Sequence, residues 1–146
     1  MGFPMAQNLL NAGYELTVYN RTYEKVESFI AQGARYAKTP LDAAKESNIV
    51  ITLLSDDAAL EQVVMGPNGL LNGLPEKGIH ISASTISVEM ARKLLAVHQE
   101  RSQHLVSTTV LGRPDAAKAA KLRIILAAPE RNKRNVRSRD ICDRGS

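Results

Sequence analysis

Apolar residues recur along this chain in two rhythms that take turns. Met5 to Leu10 continue a helical rhythm that Gly2 opens, and Gly13 falls where a helix wants a left-handed residue after its last turn. Glu15–Asn20 (ELTVYN) is a short β-prone run. Tyr23–Gln32 (YEKVESFIAQ) puts Val26, Phe29 and Ile30 on one helical face, and Gly33 follows as a second stop. Thr39 and Pro40 read as an N-cap and a first-turn proline, which predicts a helix from Pro40 to about Glu46. Ile49–Leu54 (IVITLL) is apolar on both faces, the pattern of a parallel strand buried on two sides. Asp56 or Asp57 caps a helix running to about Met65, and Gly66-Pro67-Asn68-Gly69 opens an irregular stretch that Gly73, Pro75 and Gly78 extend. Ile79–Ser82 reads as a strand. Ser87 caps a helix from Val88 to about Arg101, with Glu89 in the first turn, where negative charge suits the helix dipole. His104–Val110 and Arg123–Ala128 are further strands, on either side of a short helix near Pro114–Lys121.

Strands alternating with helices imply an α/β fold built on a parallel sheet, with right-handed crossovers. The pattern holds over residues 1–128, which we read as one domain. Residues 129–146 break it: they lack apolar periodicity and are rich in Arg, Asn, Asp and Ser, so they should stay disordered. The net charge of +4 has its source there. Residues 130–146 carry Arg131, Lys133, Arg134, Arg137, Arg139 and Arg144 against Glu130, Asp140 and Asp143, which leaves the body nearly neutral. The body shows no basic stripe and no aromatic interleaving, so no nucleic-acid partner is expected.

At 146 residues the chain suits one domain. No apolar run approaches the roughly 18 residues of a membrane span, and no basic-then-apolar leader is visible, so no membrane partner is expected. The single cysteine, Cys142, has no internal partner for a disulfide, and a reducing cytoplasm is the expected compartment. His80, His98 and His104 lack metal-ligand spacing and read as surface or partly buried structural residues.

Two short stretches carry candidate chemistry. A dinucleotide fold needs a strand, a glycine-rich turn and a helix, because the glycines admit the pyrophosphate and the helix N-terminus faces its charge. Gly2 stands at a helix start, where the last glycine of such a turn would fall; on its own it is equally an ordinary helix start. Asn20-Arg21-Thr22 follows a strand. An acidic residue there would hold the ribose 2′-hydroxyl of NAD, whereas an arginine pairs with a 2′-phosphate through charge-assisted bonds. Thr22 could add a hydrogen bond and cap the following helix, and the same residues also read as a plain polar turn.

Taken together, GFPMAQNLLNAGYELTVYNRT, LLSDDAALEQVVMGPNGLLNGL and STIS resemble the β-hydroxyacid dehydrogenase family over about residues 2–128. That family includes 3-hydroxyisobutyrate dehydrogenases, tartronate semialdehyde reductases and 6-phosphogluconate dehydrogenases, with imine reductases as relatives. The resemblance implies an N-terminal Rossmann-like domain, a doubly wound parallel sheet, followed in the family by a helical domain that completes the active site and builds homodimers. It implies NADP(H) as cofactor and a small-molecule carbonyl, hydroxyacid or imine as substrate. Gly2, Phe3, Pro4 and Met5 then match the end of the glycine loop, and Asn20, Arg21 and Thr22 the 2′-phosphate site. Leu54 and Ser55 match the loop along the cofactor, Thr85 a threonine near the nicotinamide ribose, and Ser84 and Gly112 substrate-side positions. Read without the resemblance, Leu54 is a core residue at a strand end and Ser84–Ser87 a strand-to-helix turn.

The chain departs from the pattern in three places. The family's substrate loop, D-A-P-V-S-G-G, is here Ser107-Thr108-Thr109-Val110-Leu111-Gly112-Arg113, where Leu111 replaces a hydroxyl. Val110–Ala117 is closer to the imine-reductase branch. No residue matches the family's acid/base lysine, and Lys118 and Lys121 read as exposed helix lysines. The family's first strand, central in the sheet, has no counterpart before Gly2, so a gap is expected between Glu15–Asn20 and Ile49–Leu54. Either those strands pair directly or the chain folds poorly, and the basic tail would suit a fragment or a mis-started reading of a longer gene. By itself the chain is expected to turn over no substrate, since the family's acid/base lysine has no counterpart here. The alternative is a non-catalytic remnant or interaction protein.

Overall fold

The computed structural model describes residues 2–111 and 123–127. Helix α1 (Gly2–Asn11) ends at Gly13, whose φ of 86° only a residue without Cβ adopts readily. Strand β1 (Thr17–Val18) is shorter than the predicted run. The single helix expected over Tyr23–Gln32 is broken into a 3-10 turn (Tyr23–Lys25) and α2 (Glu27–Ala31), before Gly33 at φ 98°. Strand β2 (Arg35–Tyr36) pairs with β1 and had no counterpart in the sequence reading.

Helix α3 (Pro40–Lys45) starts as predicted: the Thr39 side chain accepts from the Asp42 amide, and Pro40 fills the first turn. Strand β3 (Ile49–Thr52) leads to α4 (Asp57–Met65), capped by Asp56, which accepts from the Ala59 amide. A second 3-10 turn (Leu70–Asn72) lies within the stretch expected to be irregular. Strand β4 (Ile79–Ser82), helix α5 (Val88–Glu100) with Ser87 as its N-cap, and strands β5 (His104–Leu111) and β6 (Arg123–Ala127) complete the order.

The strands form two sheets, β1-β2 and β3-β4-β5-β6. β1 and β3 do not pair, so the predicted interruption is present and direct pairing does not close it. β3, β4 and β5 run parallel, Ile49 opposite Ile79 and Ile79 opposite His104. β6 corrects the all-parallel reading, since it pairs antiparallel with β5, Ser107 opposite Ala127. β3 also departs from expectation: as the outer strand of its sheet it leaves Ile51 37% exposed. The short helix expected near Pro114–Lys121, residue Gly112 and the basic tail at 129–146 lie outside the described residues.

Packing follows the two-residue alternation of the strands. On one face, Leu105 joins Ala44 of α3, Leu60 and Val64 of α4, and Met90 and Leu94 of α5 in the main core, with Leu70, Leu71 and Leu74 beneath. On the opposite face, Ile79, Ile81 and Val106 cluster with Ile49. A separate cluster of Val18, Val26, Phe29 and Ala34, flanked by Ala6 and Leu10, fastens α1 to β1 and α2. The histidines correct the sequence reading: His80 and His98 are fully buried.

Candidate functional site

Three loops leave the carboxyl ends of strands that pair parallel, one in the two-stranded sheet and two in the four-stranded one. The first follows β1. Asn20 accepts the Thr22 amide on its side chain at 3.2 Å, which bends Asn20-Arg21-Thr22 into a compact turn. Arg21 and Thr22 are exposed. Thr22 takes the N-cap position of the 3-10 turn but makes no side-chain cap bond, contrary to the capping role anticipated for it.

The second loop follows β3. The Leu54 amide donates to Ser84 Oγ at 2.8 Å, and Ser55 Oγ donates to Asp56 at 3.1 Å. The Ala59 amide, then the Ser55 hydroxyl, hold the Asp56 carboxyl below its ordinary value, and the Arg21 cation adds to them. That added pull brings the 20–22 turn and the 55–56 loop within electrostatic reach of each other. The third loop follows β4. Ser84 is 7% exposed and its hydroxyl is engaged by Leu54, while Thr85 is exposed.

Helix α1 supplies the fourth component. A Cβ at Gly2 would meet the Leu53 side chain at 3.5 Å, so the N-terminus of α1 sits against the end of β3 beside Leu54. Its first turn carries no acidic residue, so no side-chain charge of that turn offsets the positive end of the helix dipole. Phe3 stacks on Phe29 with ring centroids 4.5 Å apart and stays half exposed, Pro4 is buried, and Met5 is half buried. Phe3 and Pro4 thus seat the helix on α2 and the small core around it.

The α1 N-terminus thus meets Leu53, the Leu54 loop is bonded to Ser84 beside Thr85, and Arg21 acts on Asp56 beside Ser55. Among the described residues the ion pairs are Arg35–Glu46, Lys45–Asp42 and Lys93–Glu61, so Arg21 is not paired with a carboxylate. A cationic turn, the first-turn amides of α1 and small hydroxyls are a donor set suited to phosphate groups. Sequence reasoning missed the bond between Ser84 and Leu54, which links two loops it had treated separately. It also missed Asp57, which accepts from both the amide and the hydroxyl of Ser87. The one available signal was the adjacency of Asp57 to the cap residue Asp56.

A parallel sheet whose strand ends meet a glycine-led helix N-terminus defines a Rossmann-like nucleotide-binding domain. Within that class, the chain belongs to the family described as the NAD binding domain of 6-phosphogluconate dehydrogenase, whose model matches residues 1–138. It is 57% identical over 129 residues to the uncharacterized oxidoreductase YfjR of Bacillus subtilis, a match covering 88% of this chain and 45% of that protein. It superposes on 3-hydroxyisobutyrate dehydrogenase from Mycobacterium tuberculosis with TM-score 0.86 and 25% identity, covering 94% of this chain and 46% of that one. Psf3, solved with NADP+ and 2-OPP, gives TM-score 0.89 and 25% identity, covering 94% and 49%. The chain spans just under half the length of these relatives. It is an NAD(P)-binding domain of an oxidoreductase family. Among the described residues no helix is long and apolar enough to cross a membrane.

Proposed function

We propose that this domain binds NADP(H) in preference to NAD(H), and that it serves an oxidoreductase whose substrate is a small carbonyl, hydroxyacid or imine. The observation that supports the preference is Arg21: its guanidinium follows β1, where an NAD-selective fold would carry an acidic residue, and among the described residues it forms no ion pair with a carboxylate. The amides opening α1 at Gly2–Met5 would face the pyrophosphate, and Asn20, Arg21 and Thr22 the 2′-phosphate. Leu54, Ser55 and Thr85 would line the path toward the nicotinamide, with Ser84 holding the Leu54 loop. Bound there, the nicotinamide ring supplies or accepts the hydride. The NADP+ reported with Psf3 supports the choice of cofactor.

The same reading assigns no catalytic residue to this chain. By itself the domain should therefore oxidise NADPH with no substrate, and its workplace should be the cytoplasm. Isothermal titration of the full chain with NADPH and NADH tests the reading. Saturable heat with NADPH and weaker or no heat with NADH is expected. Equal affinity for both would remove the preference, and no heat from either would remove cofactor binding by this chain.

A further inference from the structure

Four buried polar side chains form a line that neither the cofactor site nor the helix caps account for. Thr52 Oγ1 lies 2.9 Å from His80 Nε2, His80 Nδ1 lies 2.9 Å from His98 Nε2, and His98 Nδ1 lies 2.7 Å from Gln103 Oε1. Gln103 Nε2 donates to the carbonyls of Leu71 at 3.0 Å and Leu74 at 2.8 Å. The line threads from the turn beneath the core, through α5, into β4 and β3.

The two carbonyls decide every proton in it. A carbonyl only accepts, so the amide NH2 of Gln103 must face Leu71 and Leu74, and its oxygen must face His98. His98 therefore carries its proton on Nδ1 and donates. In a neutral imidazole the other nitrogen is bare, so His98 Nε2 accepts from His80 Nδ1–H. That leaves His80 Nε2 bare, and it accepts from the Thr52 hydroxyl.

We propose that this line is a one-proton latch, in which a single added proton reverses both hydrogen bonds of His80 while the Gln103 end stays fixed. In the added state His80 takes a proton from hydronium on Nε2, releasing water, and passes its Nδ1 proton to His98 Nε2. Two N–H bonds form and one breaks, and the positive charge rests on His98. His80 then donates from Nε2 to Thr52, whose hydroxyl turns to accept. A second proton has no place, because it would set one N–H against another between two cations 2.9 Å apart.

The surroundings fit this count. Burial, with the charge of His98 behind it, holds His80 well below its ordinary value. Burial lowers His98 too, partly offset by the Gln103 oxygen, which favours the charged ring. Among the described residues no carboxylate is bonded to the pair: Glu89, Arg92, Lys93 and Glu100 on α5, and Glu76, Lys77 and Arg101 in the flanking turns, are all exposed, while Asp57 and Glu61 on α4 are engaged by Ser87 and Lys93. β3 and the Leu70–Asn72 turn bring no titratable group. On β5, His104 opposes Ile79 in register whereas Leu105 opposes His80, so the sheet alternation turns His104 to the other face. The latch stands whether or not the domain binds NADP(H).

Long-range nitrogen–proton NMR of the imidazoles in the full chain tests it. At about pH 8 both rings should carry the proton on Nδ1, with Nε2 bare. A ring protonated on Nε2 there overturns the latch without any titration. On acidification the His80 tautomer should switch at the same midpoint as His98 gains its proton, and the pair should take up one proton. Independent titration of the rings, or uptake of two, overturns it. Gln103→Leu removes the group that sets the sense, so both rings should become tautomer mixtures. Unchanged tautomers in that variant would overturn the assignment. Thr52→Val keeps the Gln103 end and the β-branched shape but removes the hydroxyl that donates to His80 Nε2 in the neutral state and accepts from it in the added state. It should keep both rings on the Nδ1 tautomer at about pH 8, because the Gln103 end sets the sense, and a switch of either ring to Nε2 there overturns the latch.

Discussion

Asp57 holds Ser87 with both carboxylate oxygens, one accepting from the amide at 3.1 Å and the other from the hydroxyl at 2.5 Å. Ser87 Oγ accepts from the Met90 amide in turn, so one bridge couples the first turns of α4 and α5. Both helices follow strands whose ends carry the candidate site.

Cutting that bridge should loosen the site's outer wall. Asp57→Ala removes both acceptors and should cost about 0.5–2 kcal/mol, the range of a lost helix cap. Urea unfolding followed by circular dichroism reads the cost, and an unshifted midpoint would show that solvent replaces the bridge.

Arg21 gives a prediction of selectivity rather than stability. Arg21→Ala should weaken NADPH binding by about ten- to a hundredfold, the worth of a charge-assisted pair, and leave NADH binding nearly unchanged. Calorimetry with both cofactors checks this. Equal losses for both would assign Arg21 to the shared part of the cofactor.

The main core concentrates on Leu94, which is fully buried between α5 and the sheet. Leu94→Ala should destabilise the domain by about 2–5 kcal/mol, with the spread set by how far Leu60 and Leu105 collapse into the space. Denaturant unfolding with an unchanged slope is the expected signature.

Acid should weaken the fold through the two buried histidines. Both rings lie below their ordinary value of 6.5 in the folded chain, so the unfolded chain binds protons first as pH falls. Their contribution is complete above 6.5 and is lost as pH drops through the folded values. Each proton held only by the unfolded chain costs about 1.4 kcal/mol per pH unit. Unfolding free energies measured from about pH 7.5 down to about pH 5.5 should fall accordingly. A flat profile would contradict the buried neutral pair.

The parts legible in the sequence were those written locally. Thr39, Asp56 and Ser87 each cap the helix that follows, and Gly13 and Gly33 take the positive φ angles that end α1 and α2. The parts that escaped depend on distant partners. Arg35–Tyr36 is two exposed residues whose strand character comes entirely from pairing with Thr17–Val18. The alternation of Arg123–Ala127 reads the same in either direction, so its antiparallel pairing could not be seen. His98 could have been found: it continues the Met90–Leu94 spacing along the buried face of α5. Its bond to His80 could not, because nothing in the chain announces that those two positions meet. At the site, Arg21 was legible as a charge, whereas the closure of the Leu54 loop by Ser84 required the register of β3 against β4.

The outer edge of β3 has a consequence that is colloidal rather than chemical. Among the described residues nothing pairs with that edge, and Ile51 stands 37% exposed beside it without a charge or proline in β3 to discourage company. An open edge of this kind templates strand addition by another chain. Self-association should therefore rise with protein concentration, and a lysine at position 51 should act as a gatekeeper against it.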